Sequence, residues 1–440
     1  MRLFISGLWH LGCVTAASMA QYHDVVAHDA DRGVVASLER GEPPLFEPGL
    51  RELVAGMQAR GSLSFSVDPA AARGSDIVWI TYDTPVDDED RSDVEAVFER
   101  CRALFEYLSE GTLFLISSQV PVGFTVRLAE AFTSARPGVA VAFAYSPENL
   151  RLGKAIEIFN NPGRVVAGVR DELAREKIGA VFAPICGNIL WMRPESAEMT
   201  KHALNAFLAV SVTFANEIAA ICEAVDADFE DVQRGLRSDP RIGAGAYLSA
   251  GAGIGGGTLL RDVSVLSDVG AARGTPNKML TAALVSNKEH RLWAERSLVR
   301  ELGDLRGLKI AVLGLTYKPG TDTLRRSTAV ELCRALAARG AVVEAYDPVV
   351  RELPGDVSAI VRLSPTLEDA LRDASAAVVA TEWPEFRNID AKLVRLMAEP
   401  YVFDATGFLR AGFAEHAGMK YFVCGRRFET IAGASERPGT

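Results

Sequence analysis

The chain opens with RLFISGLWHLGCVTAASMAQYHDVVAHD (residues 2–29), in which strand, turn, helix and strand signals follow one another. The apolar run 2–6 predicts a strand, residues 7–12 a turn, the small helix formers of 13–21 a helix, and residues 25–28 a second strand. A turn between a strand and a helix leaves backbone N–H groups at the helix N-terminus, which can hold a pyrophosphate. The segment therefore predicts the first unit of a doubly wound parallel sheet, with a dinucleotide site at its turn.

The glycine pattern of this turn is incomplete. Gly7 and Gly12 occupy the first and third positions of G-x-G-x-x-G, but Trp9 stands where the second glycine is usual, so its side chain must point away from the phosphates. Asp29 lies 22 residues after Gly7, close to the spacing of about 20 expected for a carboxylate that binds a ribose diol. A plain βα turn and a solvated carboxylate at a strand end fit the same residues. The candidate cofactor-binding residues here are Gly7, Trp9, His10, Leu11, Gly12 and Asp29.

The alternation of strands and helices stops in the middle of the chain and then returns. Further strands are predicted at 76–81, 113–117 and 140–145, with a helix at 93–108. Residues 194–301 carry helical spacing, interrupted by a glycine-rich stretch at 249–258, and strands return at 308–313, 342–346 and 376–380, with a helix at 330–339. The predicted fold class is α/β, with two Rossmann-like doubly wound parallel-sheet domains (1–190 and 304–440) joined by a central helical domain (191–303).

The composition indicates which kinds of partner the protein binds and in which cellular compartment it is found. The 440 residues are 48% hydrophobic and 24% charged with a net charge of −10, so we expect a globular protein without the basic face of a nucleic-acid-binding protein. The most apolar long segment, 203–225, contains Asn205, Asn216 and Glu217, so no membrane span is predicted, and no signal peptide is evident. The six cysteines are far apart without metal-ligand spacing, which favours a reducing cytoplasm and predicts no metal site.

A series of motifs along the whole chain resembles those of the UDP-glucose and GDP-mannose dehydrogenase family. In order they are FEPGL (46–50), Thr84-Pro85, VPVG (120–123), SPENLR (146–151), KHALN (201–205), RIG (241–243), GIGGG (253–257), Arg261-Asp262, GLTYKP (314–319), Thr321-Asp322 with Arg325 and Ser327, and YDP (346–348).

The resemblance implies an enzyme with NAD as cofactor and a UDP- or GDP-linked sugar as substrate. Its implied parts are an N-terminal domain that binds NAD, central helices that form a homodimer, and a C-terminal domain that holds the nucleotide of the sugar, with chemistry in the cleft between them. It adds Thr84, Pro85, Gln119 and Arg325 to the cofactor-binding residues. It implies that the substrate-binding residues are Asn149, Leu150, Arg151, Lys201, Asn205, Arg241, Gly253, Gly255, Tyr317 and Lys318, with Arg241 reaching across the dimer.

The resemblance also implies catalytic roles, each beside a plainer alternative. Lys201 and Asn205 share one helix face and would balance charge on a sugar oxygen and orient it; otherwise they are an exposed pair. Asp262 would be the general base, or a carboxylate facing a helix dipole. Glu148 would position water or a hydroxyl, or be a loop carboxylate. A flexible linker is the alternative for the glycine-rich loop, and surface salt bridges for Arg241 and Arg325.

Thr258 departs from the family, because it stands where the family has its catalytic cysteine. Family members oxidise a primary alcohol twice, and the cysteine carries the second oxidation through a thiohemiacetal and a thioester. A threonine hydroxyl is far less acidic than a thiol and needs a strong adjacent base. We therefore expect a single two-electron oxidation at C6, giving a ketone or an aldehyde.

Two further departures, Gln119 for a threonine and Thr406 for the arginine of Asp-Gly-Arg, indicate an altered substrate. Leu152 stands where the family has a glutamate, so one cofactor or proton-relay contact is expected to be missing. A sugar with a secondary alcohol at C6 fits, such as a GDP-octose of a lincosamide-type antibiotic pathway; polysaccharide biosynthesis is the broader setting. The alternatives are four-electron oxidation to a uronic acid, an NAD-dependent epimerase, and a non-catalytic protein that binds nucleotide sugars.

Overall fold

A computed structural model describes residues 1–87, 92–148, 150–255, 258–410, 419–426 and 429–430. Its contacts divide the chain into two compact units, Met1–Leu204 and Asn205–Thr440, with the boundary inside the long helix Pro194–Val225. The three-domain boundaries expected from the sequence stay a prediction.

The first unit is built on an eight-stranded sheet. Its strands are β1 (Arg2–Ser6), β2 (Asp24–His28), β3 (Leu63–Ser66), β4 (Ile77–Ile80), β5 (Leu113–Ile116), β6 (Ala142–Tyr145), β7 (Val165–Gly168) and β8 (Ile189–Met192). Its helices are α1 (His10–Met19), α2 (Arg32–Glu39), α3 (Leu50–Arg60), α4 (Val94–Arg102), α5 (Phe124–Ala135), α6 (Ala155–Asn160) and α7 (Glu172–Phe182). The strand order is β3-β2-β1-β4-β5-β6-β7-β8, and every neighbouring pair is parallel except β6 with β7.

Strand β1 lies inside this sheet and is buried on both faces. Leu3 and Ile5 join a core with residues of α1, α3 and α7, whereas Phe4 joins a second core with residues of α4 and α5. Successive side chains of a strand point to opposite faces, so one apolar run serves both cores. Because both faces of β1 are buried, its residues do not alternate between polar and apolar side chains as those of a half-exposed strand do.

The second unit combines helices with a seven-stranded sheet. The boundary helix is α8 (Pro194–Val225), and the others are α9 (Phe229–Ser238), α10 (Thr258–Ala272), α11 (Lys278–His290), α12 (Trp293–Leu302), α13 (Thr328–Ala338), α14 (Gly355–Ser358), α15 (Leu367–Leu371) and α16 (Ala391–Val394). The strands are β9 (Lys309–Leu313), β10 (Val342–Tyr346), β11 (Val361–Leu363), β12 (Ala376–Val379), β13 (Tyr401–Asp404), β14 (Lys420–Phe422) and β15 (Glu429–Thr430). Their order is β11-β10-β9-β12-β13-β14-β15, with β14 and β15 antiparallel and the others parallel.

The predicted fold class is confirmed: two α/β sheets flank a helical region, and the described residues between Met192 and Lys309 contain no strand. Two predicted element bounds are wrong by three residues or more, and the others differ by at most two. Helix α1 begins at His10 rather than at residue 13, because Gly12 lets the first helical turn lie against the Gly7 carbonyl. The helix predicted over 93–108 ends at Arg102, and a short 3₁₀ turn follows at Phe105–Tyr107.

By length and composition alone, one helix in the described part of the chain, α8, is long and apolar enough to cross a membrane. The interior helices of globular proteins pass the same test, and one third of the most apolar window of α8 is buried. The absence of a membrane span stays a prediction.

Replacing Gly12 by alanine is expected to destabilise the first unit. An added Cβ would lie 1.8 Å from the Gly7 carbonyl oxygen and 2.9 Å from Thr81 Oγ1, whereas at Gly56, inside α3, it would meet nothing within 4 Å. We expect Gly12→Ala to lower the free energy of unfolding by about 1–3 kcal/mol, as overpacked sites do. Gly56→Ala, the matched control, should raise it by up to about 1 kcal/mol. Calorimetric melting temperatures measure both effects, and equal melting temperatures for the two variants would contradict this account.

Candidate active site

The turn between β1 and α1 has the backbone that a pyrophosphate requires. Gly7 has a φ of +106°, and an added Cβ would lie 2.6 Å from the backbone nitrogen of Tyr82. Trp9 occupies the N-cap position without offering a side-chain acceptor, and the residue is 43% exposed. The first N–H groups of α1 therefore have no side-chain cap, and the residues of this turn fit a bound dinucleotide.

Asp29 follows β2 and is bonded to this turn. Its Oδ2 accepts a hydrogen bond from the Leu8 N–H at 2.8 Å, and its Oδ1 accepts one from the Asp31 N–H at 3.0 Å. The carboxylate thus fixes the turn while keeping acceptor capacity for a ribose diol. A carboxylate at this place favours NAD over NADP, because it would repel a 2′-phosphate.

The loops after β4 and β5 meet at the same edge of the sheet. Thr84 Oγ1 donates to the backbone oxygen of Gln119 at 2.5 Å, and the Pro85 carbonyl accepts from the Asp93 N–H at 2.8 Å. Because β4 and β5 are parallel to β1, their carboxyl ends lie on the side of the β1–α1 turn. The structure therefore places the Thr84-Pro85 and Gln119 loops on the side of the sheet that carries Gly7 and Asp29.

Lys201 is held by Glu148. Its Nζ donates to the Glu148 carbonyl oxygen at 2.6 Å and lies 3.3 Å from Oε1 of the same residue. Lys201 is buried, so it is not an exposed helix residue. The second carboxylate oxygen of Glu148 accepts from the Leu150 N–H at 2.6 Å.

A cavity of about 350 Å³ lies behind the segment that carries Glu148. Its wall includes Ser146, Glu148, Leu150 and Arg151, which brings predicted substrate-binding residues to one surface. Asn149, predicted with them, lies outside the described residues.

The N-terminal part of α8 is fixed by residues that the motif analysis did not single out for a role. Buried Glu198 accepts from the Gly123 N–H at 2.6 Å and from the N–H and hydroxyl of Thr125 at 2.9 and 2.7 Å. His202 Nε2 lies 2.9 Å from the Val120 carbonyl oxygen. These contacts position the helical turn that carries Lys201, and burial raises the pKa of Glu198. The sequence signal that could have identified these two residues is a glutamate and a histidine on the buried face of an otherwise apolar helix.

Asn205 and Asp262 form a buried pair between α8 and α10. Asn205 Nδ2 donates to Asp262 Oδ2 at 2.5 Å, and Asp262 is fully buried. Asp262 lies beyond the first turn of α10, so it is not a carboxylate at the end of a helix dipole. Thr258 is the first residue of α10, four positions before Asp262 on the same helix face, and it is exposed.

The six cysteines are unpaired and buried. Burial raises the pKa of the Cys13 and Cys333 thiols to about 12, and it also raises the pKa of Cys101, Cys222 and Cys424. A thiol with a raised pKa remains protonated near neutral pH and is a poor nucleophile. These five residues therefore do not provide a ready thiolate.

The glycine-rich loop is anchored. Asn287 on α11 pairs with both the N–H and the carbonyl of Ile254, at 2.7 and 3.1 Å. Gly251 donates to Asn216 Oδ1 at 3.0 Å, and its carbonyl lies 2.8 Å from His290 Nε2. These bonds hold both ends of residues 251–254, so this part of the loop is not a flexible linker.

Two predicted substrate glycines, Gly253 and Gly255, are closely packed. An added Cβ at Gly253 would lie 2.5 Å from Arg291 Cγ, and one at Gly255 would lie 3.1 Å from Thr328 Cγ2.

Burial lowers the pKa of His290, which keeps the ring neutral beside the Gly251 carbonyl.

The second sheet repeats the turn geometry of the first. Gly314 follows β9 with a φ of +87°, and Asp347, after β10, accepts from the Leu315 N–H at 2.7 Å and the Thr316 N–H at 3.2 Å. Strands β9 and β12 are neighbours where the strand order reverses, which is where open α/β sheets bind ligands.

The remaining predicted residues lie on the surface of the second unit. Tyr317 is partly exposed with Lys318 Nζ 5.8 Å from its ring centre, and Arg325 is exposed in the turn before α13. Arg241 forms a surface ion pair with Asp239 at 2.7 Å. In the described residues, no group of three or more His, Cys, Asp or Glu side chains could hold a metal ion.

Thr406 packs on the glycine-rich loop. An added Cβ on Gly251 would lie 2.8 Å from Thr406 Cγ2, and the Thr406 hydroxyl donates to Glu382 Oε1 at 2.6 Å. The short Thr406 side chain thus lies close to the backbone of the loop at Gly251.

Family models match most of the chain. The NAD binding domain of the UDP-glucose/GDP-mannose dehydrogenase family matches residues 1–186, its central domain 195–289, and its UDP binding domain 311–411. A UDP-glucose 6-dehydrogenase of Rhizobium meliloti (strain 1021) is 36% identical over 436 residues, covering 97% of this chain and all of the relative. A UDP-glucose 6-dehydrogenase of Bacillus subtilis (strain 168), YwqF, is 32% identical over 442 residues, covering 99% of this chain and all of the relative.

Solved structures agree with this assignment. A UDP-glucose dehydrogenase from Pyrobaculum islandicum superimposes with a TM-score of 0.82 at 31% identity, covering 93% of this chain and 95% of that one. A UDP-D-ManNAc dehydrogenase from Pyrococcus horikoshii, at 24% identity, shares the fold with a TM-score of 0.82 over 97% of this chain and 99% of that one. The chain therefore belongs to the UDP-glucose/GDP-mannose dehydrogenase family of NAD-dependent nucleotide-sugar dehydrogenases.

Proposed function

We propose that this dehydrogenase oxidises the C6 alcohol of its nucleotide sugar once, by a single two-electron step, and releases a ketone or an aldehyde. The observation that carries the proposal is Thr258 itself, a hydroxyl residue that the motif resemblance aligns with the family's catalytic cysteine. The raised pKa values of five of the six buried thiols support it, because none of the five supplies a replacement nucleophile.

Residues for the first oxidation are retained. In the proposal, Asp262 accepts the proton of the reacting hydroxyl, directly or through water, and Asn205 fixes the orientation of that carboxylate through its 2.5 Å bond. Lys201 stabilises the negative charge that develops on the oxygen, and Glu148 holds its ammonium in place. Bound NAD supplies the acceptor for the hydride.

The second oxidation of an aldehyde requires an adduct on the carbonyl carbon. A thiolate forms that adduct readily, whereas a threonine hydroxyl first needs deprotonation by a strong base. Thr258 and Asp262 lie four residues apart on α10, but the proposal assigns Asp262 to the proton of the substrate hydroxyl, so Thr258 has no base of its own in the proposal. A secondary alcohol at C6 gives a ketone, which has no hydrogen left for a second hydride transfer.

Substrate choice is proposed to differ from that of enzymes with an arginine at position 406. Thr406 lacks the charge and length to clamp a substrate, and its hydroxyl is engaged with Glu382. A chain-extended sugar such as the GDP-octose of a lincosamide-type pathway fits the single oxidation. UDP-glucose is the comparison substrate, because the relatives carry its name.

The stoichiometry of cofactor reduction tests the proposal. With limiting nucleotide sugar and excess NAD, we expect one NADH per sugar consumed, measured by absorbance with UDP-glucose, GDP-mannose and a GDP-octose in parallel. Two NADH per sugar would contradict the proposal and indicate a uronic acid. Consumption without NADH would indicate an epimerase, and binding without consumption a non-catalytic protein.

Lysine variants provide a matched control for that assay. Lys201→Met should lower kcat by about 10² or more, the effect expected when a group that stabilises transition-state charge is removed. Lys177→Met should leave kcat unchanged, since Lys177 pairs with Asp76 and is assigned no role in the reaction.

Restoring the sulfur nucleophile is expected to restore the second oxidation. Thr258→Cys should raise the NADH yield on a primary-alcohol substrate from one toward two, because a thiol forms the covalent adduct that a hydroxyl does not. Thr258→Ser keeps a hydroxyl, so its yield should stay at one NADH per sugar. An unchanged yield in Thr258→Cys, with the first oxidation intact, would contradict the assigned role of position 258.

We further propose that two copies of the chain associate through α8 and its neighbouring helices, in the cytoplasm. Phe207, Phe214 and Ile221 are 69%, 45% and 55% exposed and follow one another at intervals of seven residues, which puts them on one face of the helix. Met279 and Val285 on α11 are also exposed. A stripe of exposed apolar residues on one helix face is typical of an interface.

A charge placed in this stripe should separate the copies. We expect Phe214→Asp to sediment as a monomer where the unchanged protein sediments as a dimer, because a buried unpaired carboxylate opposes association. Tyr22→Asp, which changes an equally exposed aromatic residue of the first unit, should remain dimeric. A monomeric unchanged protein, or one that partitions with lipid vesicles through α8, would contradict the proposed dimer.

A further inference from the structure

Glu47, in the FEPGL motif, has no place in the reaction described above, yet it is buried and fully bonded. Its Oε1 accepts from the Ala155 N–H at 2.8 Å, and its Oε2 accepts from the Gly153 N–H at 2.8 Å. The same Oε2 lies 3.0 Å from Nε2 of His10. One carboxylate therefore joins the first residue of α1 to residues 150–155.

The charge on Glu47 is maintained by these contacts. Burial works to raise its pKa, but the hydrogen bonds from Gly153, His10 and Ala155 outweigh burial, and the pKa lies below its ordinary value. An ionised carboxylate with two backbone donors and a ring donor is a strong and directional anchor.

Both ends of this connection reach residues with assigned roles. His10 is the first residue of α1, at the helix N-terminus that is predicted to hold the pyrophosphate of the dinucleotide. Residues 150–155 begin with Leu150 and Arg151, which line the cavity beside Glu148. Glu148 in turn holds the ammonium of Lys201.

We propose that Glu47 and His10 are positioning residues that couple the dinucleotide turn to residues 150–155, so that cofactor and nucleotide sugar each tighten the binding of the other. A cofactor bound at the helix N-terminus restricts the motion of His10, and a fixed His10 ring restricts the Glu47 carboxylate that it contacts. The same carboxylate accepts from the amides of Gly153 and Ala155, so part of the ordering cost of residues 150–155 is met before the sugar binds. Binding linkage is reciprocal, so the sugar must tighten cofactor binding by the same factor.

This inference rests on the proposed substrate contacts of Leu150 and Arg151, but its test needs no turnover. Amide hydrogen exchange reports directly on the bonds that Gly153 and Ala155 donate to Glu47. In the unchanged protein, saturating NADH should slow exchange in residues 150–155 by about fivefold or more, the lower end of usual coupling factors. In His10→Phe this protection should vanish while NADH still binds.

Calorimetric titration gives the second readout. With the unchanged protein, NADH should lower the Kd of UDP-glucose, or of GDP-mannose if that is the nucleotide sugar bound, by about fivefold or more. In His10→Phe and Glu47→Gln this factor, the ratio of the two Kd values, should fall to within about twofold of one. His10→Asn keeps a donor for Glu47 and should retain part of the factor.

Controls separate this role from a purely structural one. Glu42→Gln removes an exposed carboxylate that pairs with Arg40 and should keep the full coupling factor. If Glu47→Gln does not fold, His10→Phe still decides the matter, since Glu47 keeps both backbone donors there. Equal factors in His10→Phe and the unchanged protein, or no NADH-induced protection at all, would overturn the inference. Intact coupling without NADH formation from any nucleotide sugar would contradict the proposed function instead.

Discussion

A buried ammonium needs partners, and within the described residues Lys201 donates to two oxygens of one residue, Glu148. An uncompensated buried charge costs about 3–5 kcal/mol, so the segment that carries Glu148 is constrained to stay beside α8. The same segment continues into residues 150–155, whose amides are held by Glu47. The Lys201 ammonium is proposed to stabilise charge on the reacting oxygen. Its position is thus fixed by Glu148, and the segment that carries Glu148 is fixed in turn by Glu47.

Both sheets use one device to shape their first turn. A carboxylate after the second strand accepts the N–H that follows a glycine with positive φ: Asp29 takes the Leu8 N–H and Asp347 takes the Leu315 N–H. Because the acid is bonded to the turn itself, the backbone is preorganised before a ligand arrives. The repeated device explains how one architecture serves both a dinucleotide and a sugar nucleotide in this family.

Local sequence patterns predicted well those strands that are buried on both faces of a sheet. Strands β1 and β10 begin and end as expected, since apolar runs between turn residues leave few alternatives. The start of α1 was missed because a glycine contact, Gly12 against Gly7, overrides helix propensity. The partners Glu198, Asn287 and His290 were missed as well. Each acts across elements distant in sequence, and no spacing rule connects them to the residues they hold.

The central claim is that a hydroxyl at position 258 lets the enzyme oxidise C6 without trapping the product for another round. The most direct measurement is the NMR spectrum of the C6 carbon in the isolated product of a substrate labelled at that carbon. The account predicts a ketone signal from a secondary alcohol, and an aldehyde or its hydrate from a primary one. A carboxylate signal at C6 as the main product would contradict it.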